Sequence, residues 1–579
     1  MTQILALSLE RTLDRLVAML SGPGFAGSQA ELWVFEDLAA RRDAETRLAQ
    51  AGVQARVRSA YLPLVHALLD EIDLKDATEV VIRFPVAAVG PPLRFRAESY
   101  PAPELVGGAD VTYAIGRPGL DYSVEVHRSG QTTTTTAVFA PNRPAQDAYG
   151  EPVLRPTGWL RVTGRPNGLP PIDEPVLTEF EEAFDAVMAA VSAHDFGASQ
   201  PLFGALEIRA ALPGVERPLG VGHEAASTAE AMHEDLYFSL CERLQHDRGV
   251  ARGDRQFQPG QIIPDIAVAA QPRVKVTVCP VGREDLPDEV PVALDTATAP
   301  LSPGQIAAEL ASLGGTPFSG FSRQGRPVAG THLDRGGPGV VVSAGQHANE
   351  TTGVVGLLRA GRVLAADPTR NVALIPLENP DGYALHRRLR QTHPAHMHHA
   401  ARFTAAGDDL EYRTRAPLWE TEARIDAIAR TGARLHVNLH GYPAHAWWRP
   451  FSGMIPPGSE AWTLPRGFFL IIRHHPGLGD PARAFAEAMA RRMAEVPGIE
   501  ALNARQIAAY ERHLGPLPQE VLHGIPVSVV EAPLARVPFT LITEFPDETI
   551  AGADFVLGHT VQREAVLAAI ALFDPAVTS

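Results

Sequence analysis

A short apolar run that breaks into a glycine turn, with a histidine and a glutamate directly behind it, constrains this chain more than any other feature. Gly337-Pro-Gly-Val-Val-Val-Ser-Ala-Gly-Gln-His-Ala-Asn-Glu reads as a strand running into a turn at Gly345. His347 and Glu350 follow, three residues apart at the expected start of a helix, where two side chains share a face and can reach one ion. Imidazole nitrogen and carboxylate oxygen both suit zinc. Among the 21 histidines this is the only H-x-x-E, yet on the order of one is expected by chance. Taken alone, the pair decides nothing.

A second segment supplies a third donor. Ala433-Arg-Leu-His-Val-Asn-Leu-His-Gly-Tyr-Pro alternates, so His436, Asn438 and His440 share one strand face and Leu435, Val437 and Leu439 the other. His440, just before Gly441, is placed to face a cleft. Two histidines and a glutamate that leave a coordination position open form a catalytic-zinc pattern. His436 reads as a histidine satisfied within its strand.

Composition removes other classes. A net charge of -16 argues against nonspecific binding to nucleic acid or anionic membranes, which needs clustered Lys and Arg. Only Cys241 and Cys279 occur, too few and too far apart for a disulfide framework or a thiolate metal site. The first residues lack a basic segment followed by an apolar stretch and a cleavage site, and no later apolar run is read as reaching the roughly 18 residues of a membrane helix. The expectation is a soluble, cytoplasmic protein without nucleic-acid or membrane partners.

With 579 residues, 45% of them hydrophobic and 20% charged, the chain has material for several packed domains. Residues 1 to 76 show helical spacing (Leu13, Leu16, Val17 and Leu20; Leu64, Val65, Leu68 and Leu69). From 77 to about 164, Val80-Val-Ile-Arg-Phe, Tyr122-Ser-Val-Glu-Val-His and the threonines 132 to 136 read as strands, the last one exposed. Helical spacing returns near 179 to 192 and 229 to 245, and Pro/Asp-rich sequence from 283 to 303 is the best linker. This predicts an α+β domain over 1-165, a middle region and Pro-rich linker over 166-300, and a catalytic domain over 301-579. The expected fold class is α/β, with a C-terminal mixed sheet flanked by helices and an upstream α+β region.

From about 303 to 574 the chain resembles the M14-type zinc carboxypeptidases. Phe321-Ser-Arg-Gln-Gly-Arg-Pro-Val is similar to the family's S-x-x-G-R-P-I entry strand, His347-Ala-Asn-Glu to its H-x-x-E pair and Asn379-Pro-Asp-Gly to its N-P-D-G turn. His440 falls where the third ligand is expected. The resemblance implies one zinc per chain on His347, Glu350 and His440, and a hydrolase that cleaves an amide bond in a peptide or acylated amino acid. It further implies that Arg402 polarises the scissile carbonyl and that Asp409 accepts the free ring N–H of a zinc histidine, His347 by preference. Glu544, at the end of Val537-Pro-Phe-Thr-Leu-Ile-Thr, fits the general base, with Glu531 and Glu548 as nearby rivals.

The sequence departs from the family at its substrate clamp. Glu411 and Tyr412 stand where an Asn-Arg pair holds a terminal carboxylate, and a glutamate there repels one. Arg413 offers a substitute one place later; Glu411 offers a partner for an amine. Two rival readings follow: an N-acyl amino-acid deacylase of the succinylglutamate desuccinylase and aspartoacylase type, and an inactive binding module on the same fold. The histidine-rich stretch His393 to His399 reads as a loop lining the cleft, with a second metal as the alternative. His223 and His233, each followed by a glutamate, are read as structural. Trp447 and Trp448 either shape a pocket or fill core.

Overall fold

The computed structural model describes residues 1 to 129, 132 to 455 and 460 to 573. The last residues of the predicted catalytic domain, 574 to 579, lie outside them. The C-terminal part is built on a nine-stranded mixed sheet. Across it run Thr316–Phe321, Pro327–Asp334, Asn371–Ile375, Gly339–Ala344, Leu435–Pro443, Phe539–Glu548, Phe469–His474, Ile525–Glu531 and Glu520–Leu522. The four strands from Asn371–Ile375 to Phe539–Glu548 are mutually parallel, and antiparallel strands close both edges. Parallel strands bury both faces, which accounts for the unbroken apolar run Val340-Val-Val and its complete burial.

Helices Thr352–Ala366, Gly479–Ala494 and Ala553–Leu572 cover one face of this sheet. The first and last pack unusually close. A Cβ on Gly356 would lie 2.5 Å from the Gln562 Cβ, so only glycine permits this approach. Ala553–Leu572, with 20 residues and a mean hydropathy of 1.3, is long and apolar enough to cross a membrane by length and composition. That departs from the sequence expectation; here Val561, Ala565, Val566 and Ala569 are fully buried in the core, the position of an internal helix.

The upstream half differs more from its sequence reading. Residues 1 to 76 alternate strand and helix: Thr2–Ser8, Thr12–Leu20, Gln29–Val34, Leu38–Gln50, Gln54–Ser59 and Pro63–Asp70. The strands were hidden because Gln29–Val34 and Gln54–Ser59 carry charged residues that blunt their alternation. The later strands Ala77–Val86, Asp121–Arg128 and the largely exposed Thr133–Phe139 lie where expected. The proposed boundary at 165 falls between paired strands, Gly158–Thr163 and Ile172–Val176. Thr2–Ser8 also pairs with Arg273–Cys279, so the first strand completes a sheet of the middle region. Strand pairing across such separations leaves no local signal.

Helix Thr228–Asp247 joins the halves. Ser227 caps it by accepting from the Glu230 amide, and most of its first four turns are buried. Its acids face the C-terminal part. Glu230 meets His445 at 2.8 Å, Glu234 pairs with His399, Asp235 accepts from the amides of Phe451 and Ser452, and Glu242 binds Arg449 at 3.0 Å through both oxygens. Buried charges held this way fix one element against another, because any displacement leaves them unpaired.

Candidate metal centre

Strand Gly339–Ala344 ends at Gly345, whose φ of +62° turns the chain into a loop carrying His347 and Glu350. The two residues sit in a hydrogen-bonded turn, the Glu350 amide donating to the His347 carbonyl at 3.2 Å. Helix Thr352–Ala366 starts only afterwards. The expected helical start at His347 is therefore displaced by five residues, to Thr352, while the two side chains still reach one point. Asp547 fixes that helix start by accepting from the Thr352 amide and hydroxyl at 2.8 and 2.6 Å.

His347, Glu350 and His440 converge. Their donor atoms all lie within 4.8 Å of one another, and among the described residues no other group of His, Cys, Asp and Glu does so. His347 Nδ1 lies 2.8 Å from Glu350 Oε1, His440 Nδ1 2.9 Å from Glu350 Oε2, and the two Nδ1 atoms 3.1 Å apart. The Gly441 amide also donates to Glu350 Oε2 at 3.0 Å. A Cβ on Gly441 would fall 2.0 Å from Asp547 Oδ1, so glycine is required beside the third donor. Two imidazole nitrogens and a carboxylate, turned inward on one point and buried, make a donor set that fits zinc.

The surroundings are those the donors need. Asp409 Oδ2 lies 3.4 Å from His347 Nε2, and Gln346 Nε2 donates to Asp409 Oδ1 at 2.9 Å. A carboxylate behind a metal histidine sets its tautomer and ring orientation. Gln346 Oε1 in turn accepts from Asn438 at 2.9 Å and from Arg424 at 2.7 Å. Arg402 Nη1 donates to Glu350 Oε1 at 2.6 Å and stands 3.6 Å from Glu548.

The electrostatics follow from burial set against charge. Burial pushes Glu350 up, but His347, Arg402 and His440 outweigh it and hold it well below the usual carboxylate range. Burial and Arg402 disfavour charge on His347; Glu350 and Asp409 prevail and raise it. His440 is lowered, chiefly by burial. Glu544 is held well above the carboxylate range by burial, reinforced by the neighbouring charge of Glu350.

Glu544 stands directly beside His440 in the parallel pairing of their strands and lines the same cleft, of about 630 Å³. Of its rivals, Glu531 is exposed at the end of an outer strand. Glu548 is buried against Arg402 outside the cleft lining. Glu411 and Tyr412 line the cleft, but the Glu411 carboxylate is already taken by Arg424 and by Arg473 at 3.1 Å. Arg413 corrects the sequence expectation. Its guanidinium is buried among Asp408, Glu420 and Thr404, away from the cleft.

The histidine-rich stretch binds acids of the middle region. His399 pairs with Glu234, and His396 with Glu216 at 3.0 Å. His398 and His386 touch at 3.4 Å between Nδ1 atoms, and burial keeps both well below the usual histidine value. His436 lies 2.8 Å from the Ser343 hydroxyl, satisfied in its strand. Trp447 lines the cleft and Trp448 fills core.

Nothing in the order of residues marked the cleft's other wall. Tyr237, Phe238 and Glu242 of helix Thr228–Asp247, with Arg255 and Phe257, line it from the middle region. Asn438 was within reach of sequence reasoning, since it shares the His440 face. Arg473 was not.

No protein-family model matches this chain, and no curated protein does. Solved structures similar to it include a metallo-carboxypeptidase from Burkholderia cenocepacia (18% identity, TM-score 0.28, covering 48% of this chain and 70% of that one). A metallo-carboxypeptidase from Pseudomonas aeruginosa is 16% identical with a TM-score of 0.28, covering 52% of this chain and 72% of its own. Carboxypeptidase A from Helicoverpa armigera is 13% identical with a TM-score of 0.32, covering 50% and 75%.

Proposed function

We propose that this chain is a zinc-dependent hydrolase of amide bonds, metallocarboxypeptidase-like, with an altered substrate clamp. One observation carries the reading. His347, Glu350 and His440 turn their donor atoms on one point, with Glu544 beside it in the same cleft. His347, Glu350 and His440 would hold the metal. When bound, zinc supplies Lewis-acid polarisation of the carbonyl and eases deprotonation of water.

The remaining work falls to the side chains. Glu544, buried and disposed to hold a proton, takes one from the attacking water and delivers it to the departing nitrogen. Arg402 is anchored between Glu350 and Glu548 and offers its guanidinium to the oxyanion. Asp409 keeps His347 in one tautomer and orientation. The wall from the middle region narrows the cleft and limits water around the reacting groups.

The substrate is a peptide or an acylated amino acid. Metal analysis of the native protein should find about one zinc per chain, lost in His347→Ala. Hydrolysis should then be found within a panel of C-terminally free, amidated and N-acylated peptides. A native protein that neither contains nor takes up zinc would end this reading.

A further inference from the structure

The histidine-rich stretch supplies no donor to the metal centre, and its acidic partners share one location. His396 Nε2 meets Glu216 Oε2 at 3.0 Å, and His399 Nδ1 meets Glu234. The later His445 Nε2 meets Glu230 Oε1 at 2.8 Å. All three imidazoles belong to the C-terminal part and all three carboxylates to the middle region. Glu230 and Glu234 stand one turn apart on helix Thr228–Asp247. Main-chain amides cross the same junction. Met397 donates to Glu230 Oε1 at 2.6 Å, His399 to Glu234 at 3.3 Å and Ala446 to Glu224 at 3.0 Å.

The junction borders the cleft. Phe238, from the same helix, stacks on Trp447 with ring centres 5.4 Å apart, and both line the cleft with His399. Movement of the helix away from the C-terminal part therefore widens the cleft.

Each imidazole is held as a cation by what surrounds it. Burial disfavours charge on His445, but Glu230 and Glu224, with Glu548 beyond them, outweigh it and raise the pKa to about 9. Burial also opposes charge on His399, where Glu234 and Glu548 prevail over Arg402 and raise it. On His396, Glu216 and Glu230 prevail over burial and over the charge of His445. His393 stacks on His396 with ring centres 4.8 Å apart, and His233 and His398 nearby are lowered by burial. In return, His445 and His399 hold the buried Glu230 and Glu234 below the usual carboxylate range, against the effect of burial.

We propose that these three pairs form a pH-sensitive clasp, which seats the middle region on the C-terminal part at mildly acidic to neutral pH and releases it, opening the cleft, as the medium turns alkaline. A histidine raised by its partners contributes stability fully below its unfolded value and loses it as pH climbs through the folded one. Its deprotonation leaves Glu230 and Glu234 as buried charges without a cation, a costly state that separation of the two parts relieves. The clasp goes beyond the proposed hydrolase function and stands whether or not the cleft cleaves an amide.

Hydrogen exchange of the full-length protein reads the clasp directly, because the Met397, His399 and Ala446 amides are bonded across it. Protection factors, corrected for the intrinsic pH dependence of exchange, are compared at about pH 6 and about pH 9. Peptides covering residues 393 to 403 and 443 to 453 report the junction, and helix Thr352–Ala366 is the internal reference. Junction protection should fall at least about tenfold further than the reference, the change that one unit of pKa shift brings. In the double variant His396→Gln, His445→Gln, whose side chains still hydrogen-bond but do not titrate, most of that extra fall should vanish. Should the double variant not fold, His396→Gln alone should already lessen it. No fall at the junction, an equal fall in the reference helix, or an extra fall undiminished by these substitutions overturns the proposal.

Discussion

His440 and Glu544 are direct neighbours across parallel strands, so the backbone itself holds in register a candidate metal donor and the proton acceptor proposed for it. Neither position depends on a mobile loop. Glu544→Gln should keep the metal, because Glu544 is no part of the converging donor set, and should lower kcat/KM by about 10²–10⁴. The check is zinc content beside steady-state kinetics. Undiminished turnover would move the base elsewhere, with Glu548 the first residue to try.

Asp409 meets His347 at the ring nitrogen that faces away from Glu350, the place from which the proposed metal centre would have its tautomer set. Asp409→Asn should weaken zinc binding or activity by about 10–100-fold while the fold persists. Competition with a chelator measures the affinity. Unchanged affinity together with unchanged turnover would show that Gln346 and Glu350 alone orient His347.

Arg413 pairs with Asp408 and Glu420 and is almost fully buried. Removing it in Arg413→Met leaves two carboxylates without their cation, at a cost of about 3–5 kcal/mol. Urea unfolding should register that loss. Peptides with free and amidated C-termini should keep the ratio of rates seen in the unmutated protein. A collapse of that ratio would return Arg413 to the substrate clamp.

His445 gives a pH signature from outside the converging donor set. Burial lowers its pKa, but Glu230 and Glu224 outweigh burial and raise it from 6.5 to about 9. A histidine raised by its partners contributes stability fully below its unfolded value and loses it as pH climbs through the folded one. The melting temperature should therefore fall between pH 6.5 and 9 more steeply than in His445→Gln. Parallel curves for the two proteins would place no titrating charge on this pair.

Much of the site was legible locally. His347 and Glu350 share a turn, His440 lies on an alternating strand, and Glu544 follows an apolar run inside the strand Phe539–Glu548, each visible from a few neighbours. Asn379-Pro-Asp-Gly proved to cap helix Pro380–Thr392, with Asn379 accepting from the Gly382 amide at 2.9 Å. Glu411 misled, because its charge looked available to a substrate while Arg424 and Arg473 come from distant segments.

By itself the sequence determined the donor types, their local backbone and the alternation that sends His440 one way and Leu439 the other. Those follow from short-range sterics and from the period of a strand. Only the tertiary structure decided that Gln346, Asn438 and Asp409 lock together behind His347. It also decided that helix Thr228–Asp247 walls the cleft and that Arg473 reaches Glu411. Those contacts join residues tens to hundreds of positions apart, and their energy depends on burial and charge that exist only once the chain is packed.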